Sequence, residues 1–162
     1  MLQEVNLIIF LTSHQISSNI ISVAVFSHLN IYGFDINRQT LETAKENAIR
    51  AGVADKIEFA RADIRDFAPK SEKGTVITNP PYGERIEEKK NLPALYKTIG
   101  ERFKALDSWS MYLITAYEDA ERYIGRKADK NRKIYNGMLK TYFYQFMGPR
   151  PPKRSQENRN VD

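Results

Sequence analysis

Thr75-Val76-Ile77-Thr78-Asn79-Pro80-Pro81-Tyr82 is the stretch from which the rest of the chain can be read. Its first four residues are β-branched and read as a buried strand. Two consecutive prolines then fix their φ angles and remove two N–H donors, so the chain cannot continue as helix and turns at a stiff corner. At that corner the amide oxygen of Asn79 and the carbonyl of Pro80 are both hydrogen-bond acceptors, and Tyr82 adds an aromatic face on which a base can stack. Such a set would hold the exocyclic amine of a nucleobase with its lone pair turned toward an electrophile.

Upstream, the residues read as a βαβ unit. Ile31-Tyr32-Gly33-Phe34 is a short strand closed by Asp35. Arg38 to Ala51 reads as a helix, with Leu41, Ala44, Ala48 and Ala51 on one face and Glu46 and Arg50 paired four apart. Asn37 is placed to cap its start and Gly52 to end it. Ile57 to Arg61 alternates as the next strand and runs into Ala62-Asp63-Ile64. In an open α/β sheet, ligands bind beyond the carboxyl ends of the strands, where an acid can take a ribose hydroxyl pair. Asp35 fits that role; Asp63 and Asn79 follow at successive strand ends.

Gly33-Phe34-Asp35-Ile36-Asn37, Ala62-Asp63-Ile64-Arg65-Asp66 and Thr78-Asn79-Pro80-Pro81-Tyr82-Gly83-Glu84-Arg85 resemble the catalytic domain of the THUMP-associated RNA guanine methyltransferases. These are class I enzymes, often labelled adenine-specific DNA methylases. The later stretch Arg132 to Gly137, running into Tyr142 to Phe146, is similar to the closing hairpin of the bacterial members. The resemblance spans roughly Ile31 to Met147. It implies a Rossmann-like α/β fold with a mostly parallel sheet and an antiparallel C-terminal hairpin. It also implies S-adenosylmethionine as donor, held by Asp35, Ile36, Asp63, Ile64 and Asn79, and catalysis at Asn79, Pro80, Pro81 and Tyr82. The implied substrate is guanine in ribosomal RNA or tRNA, methylated by direct in-line transfer that needs neither a metal nor a covalent intermediate. Adenine in DNA offers the same kind of amine and is the alternative substrate. Glu84 and Arg85 match the family motif and are expected to help place the base or the loop.

Residues 1–30 carry none of this pattern. Class I methyltransferases follow the first strand with a glycine-rich turn, because only glycine lets the backbone pass close to the donor. Here the first glycine is Gly33. Three explanations compete: a piece of a longer enzyme with an altered N-terminus, a divergent relative in which another strand replaces the glycine-rich one, or a non-catalytic RNA-binding domain. The first is preferred, since the pattern is intact from residue 31 onward. The expected organisation is an unmatched segment at 1–30, a methyltransferase-like domain at 31–147 and a disordered basic tail at 148–162.

The chain has 162 residues, 41% of them apolar, enough for one domain with one core. Its net charge of +5 suits a polyanionic partner without identifying one. Most of the excess lies in Arg122, Arg126, Lys127, Lys130, Arg132 and Lys133, which read equally well as phosphate contacts or as a solvated face. Absence of cysteine excludes disulfides and cysteine-based zinc sites and fits a cytoplasmic protein. Leu7 to Leu11 is too short to span a bilayer and lacks a basic flank, so no membrane role is expected. His14 and His28 read as ordinary residues. Leu92 to Leu106 reads as a helix burying Leu95, Ile99, Phe103 and Leu106, after a charged, mobile loop from Gly83 to Asn91. Ser110 to Thr115 reads as a strand and Glu118 to Ile124 as a short helix. Asn136-Gly137 marks a two-residue hairpin turn.

Overall fold

A computed structural model describes residues 8–13, 29–69, 71–83, 86–136 and 138–149. Expectations for His14, His28, Glu84, Arg85, Gly137 and the tail from Arg150 onward fall outside those residues. The elements run β1 (Ile8–Ser13), β2 (Leu29–Asp35), α1 (Arg38–Arg50), β3 (Ile57–Arg61), β4 (Gly74–Thr78), α2 (Ile86–Lys104), β5 (Trp109–Thr115), α3 (Ala120–Ile124), β6 (Lys130–Asn136) and β7 (Leu139–Phe146). All seven strands form one sheet in the order β3-β2-β1-β4-β5-β7-β6. Strands β2 to β6 share one direction, while β1 and β7 run against them.

Helix α1 forms where the periodicity places it. Asn37 Oδ1 accepts from the N–H of Gln39 at 2.8 Å and of Thr40 at 3.5 Å, satisfying donors that a helix start leaves open. Leu41, Ala44 and Ala48 are buried, whereas Ala51 is the exposed C-cap. Gly52 follows with φ +70°, the left-handed step that ends the helix.

Helix α2 begins earlier than its apolar pattern suggests. Ile86 to Asn91, read from the sequence as loop, belongs to its first turns. Glu, Lys and Leu are strong helix formers, and together they outweigh the one hydrogen bond lost at Pro93 inside the helix. Its buried side is Leu92, Tyr96, Ile99 and Phe103, with Leu95 and Leu106 partly covered. That side closes the main core with Val76 of β4, Trp109, Met111 and Leu113 of β5, Ala120 and Ile124 of α3, and Tyr144 and Phe146 of β7. The Trp109 indole N–H donates to the carbonyl of Ser71 at 3.3 Å, so its one polar atom is satisfied within the core.

Where α2 meets α3, Gly100 lets two backbones touch. A Cβ there would lie 2.2 Å from the carbonyl oxygen of Ile124 and 2.7 Å from its Cα, and backbone cannot move aside as a side chain can. Gly100→Ala is therefore expected to destabilise the domain by about 2–3 kcal/mol. Thermal unfolding should show a fall of roughly 8 °C for a domain of this size. A melting point unchanged by the substitution would show that α3 does not pack here.

Strand β1 takes an interior place in the sheet, between β2 and β4, yet it runs antiparallel to both neighbours. Ile9 lies opposite Gly33 of β2 and Ile77 of β4. Its residues Ile8 to Leu11 are all apolar, as suits a strand with a neighbour on each side. Because β1 is reversed, its first residue rather than its last stands at the rim where β2 and β4 end.

Candidate active site at the switch of the sheet

Chain order reverses between β2-β1 and β4-β5, and such a switch point is where open α/β sheets bind ligands. Asp35 ends β2, and Asn79 follows the last residue of β4. Both lie two residues past partners of Ile9, Gly33 on one side and Ile77 on the other, so they stand at the same height on one rim. They are two strand spacings apart, about 10 Å. Asp63 lies just past the end of β3 on that same rim. The register thus brings together the three strand-end positions singled out in the sequence.

Asp35 is 5% exposed, and its two oxygens differ. Oδ1 accepts the N–H of Asn37 at 2.6 Å, which fixes the turn into α1. Oδ2 is buried with no hydrogen-bond partner among the described residues. Burial pushes the carboxyl above its usual range, and the Asn37 N–H only partly opposes this. A buried carboxylate oxygen left unpaired costs stability, a penalty that a hydrogen-bond donor placed there would remove. Ile36, immediately beyond, is 57% exposed and lays an apolar side chain on the rim.

Asp63 is in the opposite condition. Oδ1 accepts the N–H of Arg65 at 2.8 Å and its Nε at 3.0 Å, while Oδ2 accepts Nη2 at 2.6 Å. The Arg65 guanidinium and backbone N–H hold its carboxyl down at about 2, so it is ionised throughout the neutral range. It also caps the short 3-10 turn Ile64–Asp66. A carboxylate has room for further donors beyond these three, so an amine can still reach it. Ile64 packs against the core cluster beneath the rim rather than standing free as Ile36 does.

The corner at residues 79–82 is braced from below. Tyr82 donates its hydroxyl to Asn79 Oδ1. The amide oxygen accepts in this contact, which holds the Asn79 side chain at the corner. One lone pair of that oxygen remains for a substrate N–H. Pro80 is buried and Pro81 half-buried. The Tyr96 hydroxyl donates to the Pro81 carbonyl at 3.2 Å and is hydrogen-bonded to Thr115 Oγ1, which accepts the N–H of Tyr117 at 3.0 Å. With each hydroxyl carrying one proton, the order Tyr117 N–H to Thr115 to Tyr96 to Pro81 satisfies every group. Tyr96 and Thr115 are fully buried, and burial pushes the Tyr96 phenol well above its usual range, so it stays a donor. Neither residue was singled out in the sequence as part of the site. The available signal was the spacing of Leu92, Tyr96, Ile99 and Phe103, which puts one hydroxyl on an otherwise apolar face where it needs a partner.

Gly83 closes the corner with φ +81°. A Cβ there would come within 2.8 Å of Leu92 Cδ1, so both the turn and the close approach of α2 demand glycine.

An open sheet with this strand order, an acidic end to β2 and an Asn-Pro-Pro-Tyr corner after β4 defines a class I methyltransferase-type domain. The family model described as the RMKL-like methyltransferase domain matches residues 7–145, and the chain belongs to that family. Among curated relatives, a Bacillus subtilis protein provisionally named RNA methyltransferase YpsC is 44% identical over 131 residues, covering 80% of this chain and 34% of that protein. Ribosomal RNA large subunit methyltransferase K/L of Shewanella baltica is 39% identical over 116 residues, covering 71% of this chain and 16% of that protein. Among solved structures, a possible methylase from Clostridium difficile is 53% identical with a TM-score of 0.71, covering 75% of this chain and 32% of that one. SMU.472, solved as a provisional methyltransferase complexed with SAH, is 41% identical with a TM-score of 0.69, over 75% of this chain and 32% of that one. The chain therefore spans about a third or less of the length of these relatives. Among the described residues, no helix is long and apolar enough to cross a membrane.

Proposed function

We propose that this domain serves S-adenosylmethionine-dependent methylation of an exocyclic nucleobase amine, with guanine in ribosomal RNA or tRNA as the substrate, in the cytoplasm. The observation that carries this reading is the pairing, at one height on one rim, of the unpartnered Asp35 Oδ2 with the braced acceptor Asn79 Oδ1. RNA is favoured as substrate because the two curated relatives described above are named for it.

The residues fit the adenosine half of the donor. Asp35 Oδ2 would accept a ribose hydroxyl, which removes its desolvation penalty. Asp63 would accept the adenine amine, and Ile36 would cover the ring. Bound there, S-adenosylmethionine supplies an electrophilic methyl group. The chain's own part is positioning and charge. Asn79 Oδ1 and the Pro80 carbonyl accept the two N–H bonds of the target amine, leaving its lone pair directed away from them. As the nitrogen becomes cationic, both acceptors bind it more strongly, which is differential stabilisation of the transition state. Tyr82 holds Asn79 in place and lends its ring to the base, while the Tyr96–Thr115 chain keeps the Pro81 carbonyl from moving. A target nucleotide must be unpaired or flipped out of its stack to reach this corner.

Tritiated S-adenosylmethionine incubated with the chain and either ribosomal RNA fragments or duplex DNA tests the reading, with base analysis of the product. Label is expected in guanine of the RNA. Label in adenine of DNA would replace the substrate assignment, and failure to bind S-adenosylhomocysteine by calorimetry would remove the donor assignment.

A further inference from the structure

We propose that the β6–β7 hairpin is an arm that docks single-stranded RNA beside the Asn-Pro-Pro-Tyr corner, stacking an unpaired base on Tyr135 and holding a phosphate with Lys133 on the same face. The nature of the partner rests on the reading of RNA as substrate; the surface itself follows from the register. Thr115, the last residue of β5, lies opposite Tyr142 of β7. Thr141, Lys140 and Leu139, with Ile134, Tyr135 and Asn136 opposite them on β6, therefore extend past the end of β5. Three residues at strand rise make this overhang about 10 Å. Strands β4 and β5 are parallel, so the overhang stands at the rim that carries Asn79, with β7 two strand spacings from β4.

The projecting part has the chemistry of a nucleic-acid surface. From Lys130 to Phe146 the chain has four basic residues and no acidic one. Tyr135 is 68% exposed on edge strand β6, of a kind that natural proteins otherwise keep polar, and Met138, between the two strands, is fully exposed. Lys133 and Tyr135 share a face with their cross-strand partners Tyr142 and Lys140, so cations and aromatic rings alternate along it. The Lys140 ammonium sits 5.1 Å from the Tyr142 ring centre and is paired with Glu118 at 3.2 Å, which ties the arm to the loop after β5. Cations tracking a backbone while rings take bases is how single strands are held.

The structure also divides the basic stretch that the sequence left undecided. Arg126 is exposed but committed to contacts within the chain: it pairs with Asp129 at 2.9 Å, donates to the Met147 carbonyl at 3.0 Å and lies over the Phe103 and Phe146 rings. Arg122 lies over Tyr123. Arg132 and Lys133 are exposed and have no ion pair among the described residues.

Fluorescence anisotropy with a labelled mixed-sequence single-stranded oligoribonucleotide tests this, with the matching DNA duplex alongside. Tyr135→Ala should weaken RNA binding about tenfold without changing its salt dependence. Lys133→Ala should lower the salt slope by about 0.7, the share of one lost phosphate contact. Lys97→Ala on α2 should change neither. All the substituted side chains are exposed, so melting temperatures should match the parent chain. Unchanged RNA affinity in the hairpin variants, no RNA binding by the chain, or equal affinity and equal Tyr135 sensitivity with duplex DNA would each overturn the proposal. So would variants that alter self-association in sedimentation and leave RNA binding intact. RNA held by the hairpin without donor binding would instead sink the methyltransferase reading and leave this one standing.

Discussion

Asn79→Ala is expected to reduce methyl transfer by about 100- to 1,000-fold while S-adenosylhomocysteine affinity stays within about twofold. The size follows from removing an acceptor aimed at a nitrogen that gains positive charge only as the transition state forms. Uniform binding of substrate and donor does not depend on that charge, so the loss should appear in kcat and leave KM for the donor unchanged. Asn79 also receives the Tyr82 hydroxyl, which would then face an alanine methyl. Tyr82→Phe separates the two contributions: it keeps the ring, removes the contact that orients the amide, and should cost less than the alanine. Full turnover by Asn79→Ala would show that the amine is held elsewhere, and the role of the corner would have to be withdrawn.

Asp35→Asn should have the second large effect, and it should act in opposite directions on binding and stability. A carboxylate that takes a ribose hydroxyl pair contributes through hydrogen bonds to a charged group, each about 1.5–3 kcal/mol, so donor affinity is expected to fall about 100-fold. Stability should rise. Burial raises the folded-state pKa of Asp35 above its unfolded value. The protonated form is therefore favoured by the fold, and the associated stability is fully present below the ordinary carboxylate range and lost as pH rises through the folded pKa. Near pH 7 the native protein carries a buried, half-satisfied charge that asparagine removes. A gain of roughly 1 kcal/mol would raise the melting temperature by about 2–4 °C. The gain should shrink as pH is lowered toward 4. Calorimetry and pH-dependent melting curves read both effects, and a variant that kept donor affinity without gaining stability would refute the assignment of Asp35 Oδ2 as the ribose acceptor.

Local chemistry made much of the fold legible. Asn37 caps α1 as its side chain predicts, Leu41, Ala44 and Ala48 are buried at the helical period, and the strands at Ile57–Arg61 and Trp109–Thr115 lie where alternation or β-branched runs put them. Two readings shifted. The segment before Leu92 looked like loop because its residues are charged, and charge marks exposure rather than conformation; straight-chain residues favour helix, and α2 starts at Ile86. The turn was expected to include Asn136, yet Asn136 is the last residue of β6 and pairs with Leu139. A one-residue difference of this kind depends on cross-strand register, which a single strand does not carry.

The candidate site divides along the same line. Asn79, Pro80, Pro81 and Tyr82 announce themselves because stiffness, acceptors and an aromatic ring sit in four adjacent residues. Tyr96 and Thr115 do not, because their part is to hold one carbonyl, and that depends on α2 and β5 being laid under the corner.

By itself the sequence determined the elements, the acidic strand ends and the stiff corner, since capping, helical period and proline geometry act over a few neighbouring residues. Only the tertiary structure decided that Asp35 and Asn79 share one height, that one aspartate keeps an unpaired buried oxygen while the other is clasped by Arg65, and that β1 enters the sheet reversed. Those outcomes turn on strand order, register and burial, which arise when segments far apart in the chain compete for the same hydrogen bonds and the same water-free space.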